Sequence, residues 1–332
     1  MITSILDLKK LINDNLYDLI DEDYVLFDVP EHRNIGDQLI WRGEYDFLKR
    51  IPHKCLFVSS LGYHRSPKID KKTIILLHGG GNFGDVWFLH QKFREKIIQE
   101  YPENKIIIFP QSVQFEDENN IKKATRIFNS HGNITLCARD LFSYELLNKH
   151  FTSCKILMIP DMAFSSTLNV KNIKTRKKDL ILKRIDKELA SEIDENQFLD
   201  FEVKDWPTYN MDFLEYFKKK YTSLNRRISE LVLKNNKNLD SFRTFGFLPY
   251  RKRDNFIDIG IEFLSSYDLN ISTRLHGHIL SLLLGIPSIL IDNSYGKNNR
   301  FYNTWLSNIE DSYFAENMEA AIIIYKELKS KK

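Results

Sequence analysis

Cysteine is scarce in this chain of 332 residues: Cys55, Cys137 and Cys154 stand far apart, and no CxxC occurs. No disulfide framework can be read from such spacing. Cys55 and Cys137 fall in predicted strands, which suits small buried hydrophobes, and the odd count suits a reducing cytoplasm. No apolar run approaches the roughly 20 residues of a membrane span. The N-terminus mixes acids and lysines with its apolar positions, which is unlike a secretory signal. Charge of one sign is missing too: the formal net charge is +3, with 28% charged residues, so nucleic acid is not called for. There is no HExxH motif and no P-loop lysine with its Ser/Thr. Internal repeats and low-complexity linkers are absent as well.

The length suits two domains rather than one, and a 42% hydrophobic content with 13% aromatics is enough for real cores. Residues 4–20 carry apolar positions at helical spacing and read as a docking helix, with an interfacial membrane helix the weaker alternative. Apolar strand patterns follow at Tyr24–Phe27, Lys54–Ser59, Thr73–Leu77, Lys105–Phe109, Ile134–Cys137 and Lys155–Ile159. Helical patterns separate most of them. Apolar strands alternating with helices predict parallel sheets covered on both faces. Alternation breaks at the basic stretch 166–178 and resumes at Asp179–Leu182. The expectation is an α/β chain of two doubly wound Rossmann-like domains, 1–168 and 178–332. The last helix, over 316–329, is expected to pack back on the N-terminal domain.

The chain's organising stretch is Ile271-Ser272-Thr273-Arg274-Leu275-His276-Gly277-His278, running to Gly285-Ile286-Pro287. A strand hands over to a helix near Leu275, and Gly285 stops that helix. Arg274 and His276 therefore sit at a helix N-terminus, which favours an anion. Such an arginine can also pair with an acid at a domain edge, and such a histidine can be a satisfied core residue. His276 and His278 point to different helix faces and make a poor metal pair. Gly79-Gly80-Gly81, after the third strand, brings backbone N–H groups close to a ligand, or makes a tight crossover. In parallel sheets ligands collect at the carboxyl ends of strands. Those ends carry Asn34, Gly36, Asp37, Gly79–Gly81, Gln111, Ser112, Arg139 and Asp161; singly, each could be a turn or cap residue.

Taken in order, Asn34-x-Gly36-Asp37, Gly79-Gly80-Gly81-Asn82-Phe83-Gly84-Asp85, Pro110-Gln111-Ser112, Arg139, Pro160-Asp161, Arg274-Leu275-His276-Gly277 and Asp292-Asn293-Ser294-Tyr295-Gly296-Lys297 resemble the polysaccharide pyruvyl transferase family. The resemblance spans about 34–305. It implies a fold of the GT-B glycosyltransferase type and transfer of a pyruvyl group from phosphoenolpyruvate to a sugar, forming a ketal and releasing phosphate. It sets Arg274, Leu275 and His276 on the donor, with Arg184 as a second donor arginine and Asn293, Tyr295, Gly296 and Lys297 beside them. Asn34, Gly36, Asp37, Gly79, Gly80, Gly81, Asn82, Gln111, Ser112 and Arg139 fall on the acceptor side.

The residues fit that chemistry. Two arginines and a helix N-terminus can hold a carboxylate and a phosphate. His276 can move a proton, Arg274 can hold the anion, and Asp85 or Asp37 can orient or deprotonate the sugar hydroxyl. No cofactor and no metal is expected. Expected partners are phosphoenolpyruvate and a sugar or lipid-linked oligosaccharide of a bacterial surface polysaccharide, with no nucleic acid and at most peripheral membrane contact. A cytoplasmic location is expected, extending to the inner face of the membrane. The rival readings are a GT-B glycosyltransferase using a nucleotide sugar and a non-catalytic sugar-binding relative.

Overall fold

The computed structural model describes residues 2–168, 178–184, 201–207, 239–240, 253–293 and 296–330. The chain opens with α1 (Ile5–Leu16), β1 (Tyr24–Phe27), α2 (Ile35–Leu48), β2 (Cys55–Val58), β3 (Ile74–Leu77), β4 (Gly80–Gly84), α3 (Phe88–Glu100), β5 (Ile106–Gln114), α4 (Glu118–Asn129), β6 (Ile134–Ala138), α5 (Leu141–His150) and β7 (Lys155–Met158). Next come β8 (Lys178–Leu182), β9 (Phe201–Lys204), α6 (Arg253–Leu264), β10 (Tyr267–Ser272), α7 (Leu275–Leu283), β11 (Ser288–Ile291), α8 (Lys297–Trp305), β12 (Ser312–Ala315) and α9 (Met318–Ser330).

Strands such as Tyr-Val-Leu-Phe in β1 and Ile-Ile-Leu-Leu in β3 are apolar at every position and buried at every position. That requires cover on both faces, as in a Rossmann-like α/β fold. The first sheet runs β2-β1-β3-β5-β6-β7, with β4 added beside β5; the second runs β12-β11-β10-β8-β9, and all pairings are parallel. Strand order reverses between β1 and β3 in the first sheet and between β8 and β10 in the second. Crevices outside the carboxyl ends of strands open at such reversals, and both of them serve the site described below.

α2 carries the contact between the two sheets. Ile35, Leu39, Ile40 and Trp41 join one buried cluster with Ile257 and Ile261 of α6 and Ile279 and Leu280 of α7. A Cβ placed on Gly260 would fall 2.8 Å from Ile35, so α2 and α6 approach closely because that position has no side chain. Separate clusters fill the outer face of the first sheet and the outer face of the second.

Two expectations are corrected here. The glycine run is not a loop throughout: Gly80–Gly84 forms β4, pairing Gly80 with Gln111 and Gly84 with Gln114. β5 accordingly runs on through Pro110-Gln111-Ser112 instead of ending at Phe109. The last helix packs on the second sheet. Tyr325 lies against Phe201, and its hydroxyl donates to Asp179 at 2.8 Å. The apolar stripe of Ile324, Tyr325 and Leu328 matches the apolar face containing Ile289 and Ile291, so the nearer surface wins. The basic linker and the helix expected from Met211 lie largely outside the described residues. Among the described residues, no helix is long and apolar enough to cross a membrane.

Candidate active site

A cavity of about 480 Å³ opens where the carboxyl ends of both sheets meet. Three helix N-termini line it: Asn34, Gly36 and Asp37 from α2, Leu275 and His276 from α7, and Asn293, Lys297 and Asn298 from α8. Each turn is held by its own chain. Asn34 Oδ1 accepts from Gly36 N–H at 2.9 Å, and Asn293 Oδ1 accepts from Lys297 N–H at 2.8 Å. Gly296 caps α8 at φ +68, a left-handed conformation that favours glycine. Arg33, Arg139, Arg184, Arg274 and Lys297 line the cavity against Asp37. Among the described residues, five cationic side chains and one carboxylate line it, so the cavity suits an anion.

Arg274 is the N-cap residue of α7, and its guanidinium grips a buried carboxylate. Nε donates to Asp205 Oδ1 at 2.5 Å and Nη2 to Oδ2 at 2.7 Å. This fork-to-fork geometry fixes the guanidinium plane. An arginine open toward a donor thus becomes one already oriented by an acid at the end of β9. Thr273 Oγ1 accepts from Arg184 N–H at 2.9 Å, which ties the end of β8 to the end of β10 and sets Arg184 beside the same cavity.

His276 is held from across the sheet boundary. Its Nε2 lies 3.3 Å from Asp161 Oδ2, at the carboxyl end of β7. Arg139 Nη1 donates to the same oxygen at 2.5 Å. Burial alone would raise the Asp161 carboxyl, but His276 and then Arg139 outweigh it and hold the group well below the usual carboxylate range. A carboxylate only accepts, so His276 carries its proton on Nε2 toward Asp161. Arg139 Nε also donates to Ser112 Oγ at 2.9 Å, and Ser112 donates to Asp140 at 2.6 Å. Ser112 therefore supports Arg139 and does not line the cavity.

A second buried network lies at the carboxyl ends of β1 and β3. His90 Nδ1 is 2.9 Å from Asp28 Oδ1, and Arg94 Nη2 reaches Asp28 Oδ2 at 3.4 Å. Burial would raise Asp28, yet His90 foremost, then Arg94, keep it below its ordinary value. Arg94 also donates to the Asn82 carbonyl at 2.9 Å and to its side-chain oxygen. Next to it, His78 Nδ1 is 2.7 Å from Glu44 Oε2, and Glu44 Oε1 accepts from Gly79 N–H at 2.8 Å. Burial opposes a charge on His78, but Glu44 raises its pKa on balance. Gln111 Nε2 donates to the His78 carbonyl at 2.8 Å.

Of the expected site residues, the cavity lining gathers Asn34, Gly36, Asp37, Gly81, Asn82, Arg139, Arg184, Arg274, Leu275, His276, Asn293 and Lys297. Gly79, Gly80 and Gln111 stand behind it. Asp85 is not brought in: its carboxylate accepts from Glu116 N–H at 2.7 Å, Asp117 N–H at 2.8 Å and Asn120 at 3.1 Å, and so closes the turn before α4. Tyr295 lies outside the described residues. Sequence reasoning missed Asp205, Asp28, His90, His78 and Glu44, and gave Asp161 no role. Asp161 had a signal in its strand-end Pro-Asp pair. Asp28 has one in its place directly after an apolar strand.

Residues 34–295 match the model of the family described as polysaccharide pyruvyl transferase. EpsO of Bacillus subtilis (strain 168), named as a pyruvyl transferase, is 32% identical over 313 residues, covering 92% of each chain. Pyruvyl transferase 1 of Schizosaccharomyces pombe is 30% identical over 300 residues, covering 85% of this chain and 69% of that protein. A crystal structure of a functionally uncharacterised protein from Klebsiella pneumoniae superposes with a TM-score of 0.59 at 19% identity, covering 96% of this chain and all of that one, a likeness of fold.

Proposed function

The chain belongs to the polysaccharide pyruvyl transferase family, and we propose that it moves a pyruvyl group from phosphoenolpyruvate to two hydroxyls of a sugar in a surface-polysaccharide precursor. The product is a ketal, and phosphate is released. One observation carries this reading: a cationic cavity at three helix N-termini holds a histidine between two sheets, with a buried carboxylate behind it.

The donor brings a carboxylate and a phosphate a few ångströms apart. Arg184, Lys297 and the oriented Arg274 hold them, with Leu275, Asn293 and Gly296 shaping that wall. Fixed guanidinium groups outside bulk water need little reorganisation as charge moves toward phosphate. His276, with Nε2 on Asp161, delivers a proton to the donor methylene. The sugar enters along Asn34, Gly36, Asp37, Gly81 and Asn82. The segments 1–168 and 178–332 then serve as acceptor and donor halves in the GT-B manner, and the route needs no cofactor.

A lipid-linked acceptor at the inner membrane face fits the rim. Trp87 lines the cavity, and it is followed by Phe88 and Leu89, which are 40% and 70% exposed. The test is phosphate release from phosphoenolpyruvate across lipid-linked and nucleotide-linked sugars. Release with a sugar acceptor and a pyruvyl mass gain on that sugar support the reading. Turnover of a nucleotide sugar without phosphoenolpyruvate would overturn it.

A further inference from the structure

The reaction needs a base for the sugar hydroxyl as well as an acid for the donor. The expected acids do not supply it: Asp85 is tied to a turn, and Asp37 lies 3.5 Å from His32 at the start of its helix. We infer that His90, oriented by Asp28, is the base that takes the proton from the acceptor hydroxyl, an inference that rests on the pyruvyl-transfer reading above.

Four observations carry it. His90 lines the cavity on the first-sheet side. Its Nδ1 is committed to Asp28, 2.9 and 3.1 Å from the two oxygens, which leaves Nε2 to serve the cavity. Asp28 is 2% exposed and sits at φ +64, a left-handed conformation for a non-glycine residue, at the strand reversal of the first sheet. Backbone strain of that kind persists where the surroundings over-determine it, and it clusters at functional sites. Arg94, fully buried, clamps Asp28 and Asn82 from behind, so the ring is held by a rigid second layer. A buried carboxylate on one ring nitrogen fixes the tautomer and stabilises the imidazolium formed when the other takes a proton.

The cavity thus holds two aspartate–histidine pairs with opposite tasks. His90 Nε2 takes the first hydroxyl's proton as that oxygen bonds to C2 of phosphoenolpyruvate. The C2–C3 π electrons take a proton from His276 at C3, turning the methylene into a methyl group. The second hydroxyl then bonds to C2 as the C2–O bond to phosphate breaks. Of the two hydroxyl protons, one is balanced by the methyl hydrogen and one leaves with phosphate. His32 and Asp37 line the same cavity as His90, while His78 is turned to Glu44.

The test compares His90→Gln, His90→Ala and Asp28→Asn. Asparagine tolerates the left-handed conformation, so Asp28→Asn keeps the turn. His90→Gln should lower kcat by about 10²-fold or more, the usual weight of a positioned base, while the Kd of phosphoenolpyruvate in calorimetry stays within about twofold. Added imidazole should restore part of the His90→Ala rate, which a structural role would not allow. Asp28→Asn should lose rate with His90 in place. Near-normal kcat in His90→Gln, or no imidazole rescue in a folded His90→Ala, overturns the assignment alone. Absence of turnover in the unmodified protein overturns it together with the reading beneath it.

Discussion

Gly36 lies flat against His276: a Cβ built on Gly36 would fall 2.9 Å from both Nδ1 and Cβ of that ring. Nε2 is taken by Asp161, so Nδ1 is the nitrogen left to meet a ligand. The missing side chain at Gly36 keeps it open. Gly36 sits in the first turn of α2 without a positive φ, so alanine suits its backbone and gains up to ~1 kcal/mol of helix propensity. The added methyl meets His276 Cβ as well as Nδ1, so α2 or the ring must shift. Gly36→Ala should lower the melting temperature despite the better helix propensity and lower kcat at least tenfold. Unchanged turnover in steady-state phosphate release would mean that Nδ1 is not the working nitrogen.

Asp161 should make stability depend on pH. Its folded pKa is depressed, with burial opposing and His276 and Arg139 prevailing. A depressed carboxylate contributes stability that is complete above the unfolded value of about 3.9 and is lost as pH falls from there toward the folded pKa. Asp161→Asn leaves Arg139 buried without its carboxylate, a loss on the order of 3–5 kcal/mol at neutral pH. Thermal melts from pH 7 to pH 3 should show the variant less stable at pH 7 and the gap narrowing toward pH 3. A constant gap would assign the loss to packing.

Much of the fold was legible because its strands are apolar runs bounded by helical periodicity. The β10–α7 handover was plain: Ile271-Ser272, then Arg274, then a helix ending before Gly285. Other features depend on contacts that no local pattern encodes. Asp205 finds Arg274 from 69 positions away, in a stretch of weak periodicity. Asp85 looked like a cavity acid because it follows the glycine run, yet three donors from the α4 turn claim it. The glycine run itself read as a loop because glycine is poor in strands. Gly80 at φ +128 and Gly84 at φ +114 keep β4 alongside β5 in a backbone shape other residues seldom adopt. A side chain on Gly81 would fall 2.8 Å from Arg139 Nη2. The last helix was misplaced because its apolar stripe fits either sheet; tertiary proximity decides.

Turnover should survive chelation. Among the described residues no group of His, Cys, Asp and Glu could hold a metal ion, and the cations lining the cavity already answer the donor's charge. Dialysis against EDTA should leave phosphate release within about twofold, inside the scatter expected when no ligand set is emptied. Loss of activity restored by magnesium or zinc would reveal a metal in the reaction.

Arg274 and His276 are neighbours on one helix turn, but they should fail differently. Arg274 is tied to Asp205 by two short bonds and held in one plane. Arg274→Lys keeps the charge and loses that fork. It should raise the KM for phosphoenolpyruvate at least tenfold, about 1.4 kcal/mol, with a smaller change in kcat. Asp205→Asn tests whether the pair orients the arginine or sequesters it. If orientation matters, the variant also raises the donor KM, although it removes a negative charge from the site. If Asp205 merely competes with the donor, removing its charge tightens donor binding. His276→Gln keeps a hydrogen-bonding side chain but cannot deliver a proton near neutral pH. It should cut kcat by ~10²–10⁴-fold while phosphoenolpyruvate still binds in calorimetry. The comparison that decides is kcat against donor Kd across the three variants. A His276→Gln protein that loses donor affinity in proportion to rate would make His276 an anion ligand, and proton delivery would then have to come from elsewhere in the cavity.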